Sequence, residues 1–176
     1  MKKFITLLSA TVIMSAFVSC NGKKDSQEAI VAPQGMHVLD LTKYGKSFVI
    51  FVPDTVASKL EVTQQTYGAL DIKVGKNFAI SINEQAADIE LRKKDIKEDE
   101  INKFKSFIVE EPNAIFWESE ITQPEYHFLM NQKIGNTEYS IEDIRNTESE
   151  PFGKDAMQKM FDSAKNIKEV KKETNA

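Results

Sequence analysis

The sequence predicts an α+β fold: an antiparallel β-sheet of about six to seven strands with two amphipathic helices packed on it. Three observations predict it. Short apolar alternations separated by turn residues recur along the chain from residue 36. Two segments carry apolar residues at helical spacing instead. The strand patterns also cluster, without the regular strand and helix alternation that builds a parallel sheet.

In chain order, His37, Leu39 and Leu41 alternate with Val38 and Asp40, and Tyr44-Gly45-Lys46 forms a turn. Phe48 to Val52 is apolar throughout, the pattern of a central strand covered on both faces, and Pro53 ends it. Leu60 and Val62, then Leu70, Ile72 and Val74, then Phe78, Ile80 and Ile82 read as meander strands with one buried face each. Gly75-Lys76-Asn77 supplies the hairpin turn between the last two. Ile89 and Leu91 add a short strand or lead into a helix.

The first helix is expected in KEDEINKFKSFIVEEP, where Ile101, Phe104, Phe107 and Ile108 share a core-facing side and Pro112 stops it. Asp95, three residues before Glu98, and the acidic pair Asp99 and Glu100 suit its N-terminus. AIFWES, EYHFLMNQ and NTEYSIED are three further strands, the last two joined through Lys133, Ile134, Gly135 and Asn136. KDAMQKMFDSAKNIKEV places Met157, Met160, Phe161, Ala164 and Ile167 on one face of a closing helix, with Asp155 near its start and lysines near its end.

This order resembles the PsbP-like αβα sandwich. The resemblance spans residues 36 to 170 and rests on Tyr44-Gly45-Lys46-Ser47-Phe48 leading to Val52-Pro53-Asp54, the helix before a late hairpin, and the terminal helix around Phe161 to Ile167. Many members carry a Trp shortly after the proline, where this chain has Thr55-Val56. The resemblance implies a non-enzymatic accessory or interaction domain.

The N-terminus reads as an address. Met1-Lys2-Lys3 is a short positive region, and Phe4 to Val18 carries no charge. As a helix that stretch would span about 22 Å, short of the ~30 Å hydrocarbon core, so a secretory signal fits better than a permanent transmembrane helix. Phe17-Val18-Ser19-Cys20 resembles the lipobox of bacterial lipoproteins, although Val18 stands where a small residue is commoner. In that family the thiol receives a diacylglycerol and the peptidase cuts just before it, which makes Cys20 the lipidation residue. The expected organisation is a signal peptide over 1–19, a flexible tether over 20–35, one domain over 36–170 and a polar tail over 171–176. The tether, with Gly22, Pro33 and Gly35, has a root-mean-square reach of roughly 20 Å. Two or three acyl chains anchor stably where one alone is marginal. The resemblance thus implies a bacterial cell-envelope protein held by lipid, on the periplasmic side of the outer membrane.

Without Lys2 and Lys3 the chain keeps 21 basic residues against 27 acidic ones, a net charge of −6. Such a balance disfavours nucleic acid, which needs a clustered basic surface. The one basic cluster, Lys165, Lys168, Lys171 and Lys172, reads as a solvated helix end. A single cysteine excludes an internal disulfide, so eleven Phe, four Tyr and one Trp must supply the core.

Catalytic patterns are sparse. The only histidines, His37 and His127, fall in strands and read as half-buried or solvent-face residues, and there is no GxSxG elbow. No HExxH or CxxC suggests a metal, and no GxGxxG or GxxxxGK suggests a nucleotide, so neither metal nor cofactor is expected. Glu98-Asp99-Glu100, Glu110-Glu111, Glu118-Ser119-Glu120 and Glu142-Asp143 lack the order of a calcium loop and read as solvated faces and helix starts. Glu118 and Glu120 would share one face of a strand, as a carboxylate pair for glycoside hydrolysis could, with Trp117 pointing the other way into the core. Two functions follow from these residues: a non-catalytic domain that binds a protein partner or small ligand, or an envelope hydrolase acting on carbohydrate or peptide. A structural spacer or inhibitor subunit is a third.

Overall fold

Alternating apolar residues build two sheets in the computed structural model, which describes residues 30–56, 58–145 and 150–170. The strands are β1 (Met36–Asp40), β2 (Phe48–Pro53), β3 (Leu60–Gln64), β4 (Leu70–Val74), β5 (Phe78–Asn83), β6 (Lys103–Glu111), β7 (Ala114–Glu120), β8 (Pro124–Ile134), β9 (Thr137–Asp143) and β10 (Lys168–Glu169). The helices are α1 (Ile89–Glu98) and α2 (Lys154–Lys165). The large sheet has seven strands in the order β3-β4-β5-β9-β8-β7-β6, every neighbour antiparallel. The small one has the order β1-β2-β10. The fold is therefore α+β with a large antiparallel sheet.

Strand alternation sorts the large sheet's side chains to two faces. Ala114, Phe116, Phe128 and Met130 join Met157, Met160, Phe161 and Ala164 of α2 and Leu39, Phe48, Ile50 and Val52 of the small sheet in the main core. Ile115, Trp117 and Leu129 face the other way and meet Ile89 and Ile96 of α1. β2 is central and buried from Phe48 to Val52, as its unbroken apolar run requires, but in its own three-stranded sheet. Ser163 of α2 donates a hydrogen bond to the Phe51 carbonyl and fastens that sheet to the helix.

The helix expected in KEDEINKFKSFIVEEP is instead strand β6. Its ladder with β7 shifts register twice, between Phe104 and Ser106 and between Phe107 and Val109. Each bulge lets one extra residue through, so side chains three apart return to one face and imitate a helical period. Phe104 and Phe107, with ring centroids 4.7 Å apart, both pack on the α1 side, whereas Ile108 and Val109 pack on the main core. Pro112 and Asn113 form the corner of the β6–β7 hairpin, where Glu111 opposes Ala114.

The first helix lies earlier, and Ile89 and Leu91 belong to it. Asp88 is its N-cap, accepting from the Leu91 amide at 2.9 Å. Asp88→Ala is expected to cost about 1 kcal/mol, read as a lower urea midpoint at unchanged slope. Glu98, Asp99 and Glu100 stand at the helix's end, not at a start. There Asp99 accepts from the Ile101 and Asn102 amides at 2.8 and 2.9 Å. The Asn102 and Ile101 amides hold its carboxyl below the usual aspartate range.

Gly75 makes the expected turn with φ +57°, where a side chain would be strained and a Cβ would meet Ser58 Oγ at 2.9 Å. α2 is shorter than its apolar spacing suggests. It ends at Lys165, and Ile167 packs on the core from outside the helix before β10 pairs with β2. Lys165 is in the last turn, bonded to Glu111 at 3.0 Å, and Lys168 is in β10. Lys171, Lys172, the 1–19 segment, Cys20, the tether up to residue 29 and the 171–176 tail lie outside the described residues. Among the described residues, no helix is long and apolar enough to cross a membrane.

Candidate functional site, a charged cleft around His127

The i and i+4 positions of α1 set Arg92 and Ile96 along one wall of a cleft of ≈ 220 Å³, and Asp99, the residue just past the helix, continues it. The large sheet contributes Trp117, His127, Phe128, Glu142 and Asp143 to the opposite side, and Asn102 and Arg145 complete the lining.

His127 is the centre of this arrangement. On β8 it is two residues from Glu125, so both side chains take the α1 face, and register places it opposite Trp117 of β7. The imidazole and indole rings lie 5.4 Å apart at 36°. His127 Nδ1 is 2.8 Å from Asp143 Oδ2, and the other Asp143 oxygen accepts from the Phe128 amide at 2.8 Å. Asp143 is thus fixed by backbone before it meets the ring. His127 Nε2 is 3.5 Å from Glu125 Oε2, near enough for charge but outside hydrogen-bond geometry. Arg145 donates through Nη2 to both Glu125 oxygens, at 2.9 and 3.2 Å.

Burial is the largest influence on His127 and pushes its pKa down. The hydrogen bond and charge of Asp143, with the charge of Glu125, outweigh that and raise the pKa above the ordinary histidine value. The side chains of His127, Asp143 and Glu125 are only 14%, 5% and 7% exposed. The two carboxylates beside it thus favour the protonated imidazole. Arg92 reaches Glu142 at 3.3 Å from the helix side.

His127 is in a strand and half-buried, as expected, but its carboxylate partners lie beyond what strand periodicity alone conveys. Glu142-Asp143 was expected on a solvated face, and Asp143 is buried instead because it answers the Phe128 amide and the imidazole. Trp117 points into the α1-side core and is 5% exposed. Glu118 and Glu120 share the opposite face of β7 from Trp117. Glu118 opposes Tyr126, and Glu120 bonds Lys105 at 2.7 Å. They stand apart from the cleft. His37, in β1, is half-buried with an unpaired Nδ1 among the described residues.

Ser119, His127 and Asp143 have the residue types of a nucleophile, base and orienter. Ser119, however, is 2% exposed, has no hydrogen-bond partner among the described residues and does not line the cleft. Nε2 faces Glu125, not a hydroxyl. Among the described residues, no three His, Cys, Asp or Glu side chains are grouped to hold a metal. The arrangement can orient a ligand by hydrogen bonding and charge. No family model matches the chain, and neither does a curated protein or a solved structure.

Proposed function

We propose that this chain is a lipid-anchored cell-envelope protein whose α+β domain is a non-catalytic binding module, tethered through Cys20 on the periplasmic side of the outer membrane. The observation that carries the anchor is Phe17-Val18-Ser19-Cys20 placed directly after the uncharged run and before a polar tether. The binding role draws support from the cleft. Nδ1 of His127 is engaged by Asp143 and Nε2 faces Glu125, so neither ring nitrogen is aimed at a nucleophile. The rival reading, an envelope hydrolase using Glu118 and Glu120, must work with Glu120 already paired to Lys105.

Cells fed a palmitate label test the anchor. The wild-type chain is expected to take up label and partition into the membrane fraction. Cys20→Ala is expected to lose both, with the precursor accumulating. Undiminished labelling of Cys20→Ala would remove the anchor.

A further inference from the structure

We infer that the His127 cleft is a binding site for an uncharged saccharide, recognised one ring at a time. The inference rests on the binding-module reading and names its ligand class. Size comes first. At ≈ 220 Å³ the cleft is smaller than the roughly 300–1,000 Å³ of sites for drug-sized ligands, which suits a single small ring.

Charge comes next. Arg92 and Arg145 line the cleft beside Asp99, Glu142 and Asp143, with Arg92 paired to Glu142 and Arg145 to Glu125 behind it. A net anion meets no unpaired arginine here. To enter, it would have to displace an existing partner, as at Arg92 and Glu142, leaving a charge partly buried and unpaired. A neutral ligand enters without that cost.

The hydrogen-bonding inventory then selects hydroxyls. Guanidinium groups are donors only and ionised carboxylates are acceptors only, whereas a hydroxyl is both. A ring carrying several hydroxyls can donate to Asp99 or Glu142 and accept from Arg92 or Arg145 at once. The two arginine side chains stay 40% and 53% exposed, within reach of a ligand. Asn102 adds its carboxamide to the lining. Ile96 supplies an apolar wall for the ring's carbon face.

The chain has one tryptophan, and it lines this cleft, so its emission reports occupancy directly. Full chain in a detergent without sugar groups is titrated with glucose, galactose and N-acetylglucosamine, and in parallel with inorganic phosphate and succinate. A saturable change with at least one sugar, at millimolar Kd, and none with the anions is expected. Arg92→Gln and, separately, Asp99→Asn are expected to weaken that sugar about tenfold or more, the loss of one charge-assisted hydrogen bond. Asn can keep the Asp99 turn, so the second variant remains informative if the first misfolds. Saturation by phosphate or succinate alone overturns the saccharide and leaves the binding module standing. Silence toward every probe, or sugar affinity unchanged in both variants, overturns the site itself, while palmitate labelling judges the anchor independently.

Discussion

Phe161→Ala is expected to lower the unfolding free energy by about 3–5 kcal/mol, the range for emptying a buried aromatic position. The ring is 3% exposed. It stacks on Phe116 of β7 at 5.7 Å and 27° and meets Phe128 of β8 edge-on at 5.9 Å and 88°. Such ring pairs add about 0.5–1.5 kcal/mol each beyond their buried area. The effect should extend past the void, because α2 also grips the small sheet through Ser163 and the Phe51 carbonyl. Domains of this size carry about 5–15 kcal/mol in all, so this variant should lie near the edge of folding at ambient temperature. Urea unfolding followed by circular dichroism measures the loss. Phe104→Ala, at a half-buried position on the α1 side, is the comparison and should cost clearly less. Equal costs would mean that α2 is not anchored through Phe161.

β4 is legible because it buries one face and so writes its alternation into the sequence. There Leu70, Ile72 and Val74 are buried and Lys73 is exposed, whereas β5, expected with one buried face, buries Ala79 and Ser81 as well as Phe78, Ile80 and Ile82. β6 was not legible, because its two bulges reset the alternation and left Phe104 and Phe107 at a spacing natural to a helix. α1 is hidden in the sequence for the opposite reason. Its one fully buried residue is Ile89, and a helix that lies across a cleft, with Arg92 and Asp99 on the inward side, has too few apolar positions to show a stripe.

Part of the site was within reach. Glu125 and His127, two apart in a strand, had to share a face. Gly135 and Asn136 as a two-residue turn pair Ile134 with Thr137, and continuing that register to the far end of β9 brings Asp143 beside Phe128 and His127. The wall formed by Arg92 and Asp99 is out of reach of a reading that starts the helix at Lys97, whereas α1 starts at Ile89. Two acidic pairs that look alike in sequence also have opposite fates. Glu118 and Glu120 lie on the α2 side of the sheet, whereas Asp143 is buried at the cleft. The deciding factor is which backbone amide each carboxylate can reach, a property of register that composition does not contain.

Asp143→Asn is expected to cost about 3 kcal/mol on the acid side of about pH 6.5, where the raised pKa keeps His127 protonated, because it removes the anion from a buried pair. Its second effect is on pH dependence. In the wild type the folded pKa of His127 is raised, so the fold binds the proton more tightly than the unfolded chain, whose histidine titrates near about 6.5. That stability is fully present below the unfolded value and is lost as pH rises through the raised folded value. Wild-type stability should therefore fall on the alkaline side of about pH 6.5 in step with the His127 titration. In Asp143→Asn, burial should prevail over the remaining charge, the midpoint of His127 should move down, and the alkaline loss should shrink. The proton NMR titration of the imidazole reads this directly, since the chain has only two histidines and His37→Gln assigns them. An unchanged midpoint in Asp143→Asn would move the proton's anchor from Asp143 to Glu125. The carboxylate that answers the Phe128 amide would then serve β8 and not the cleft.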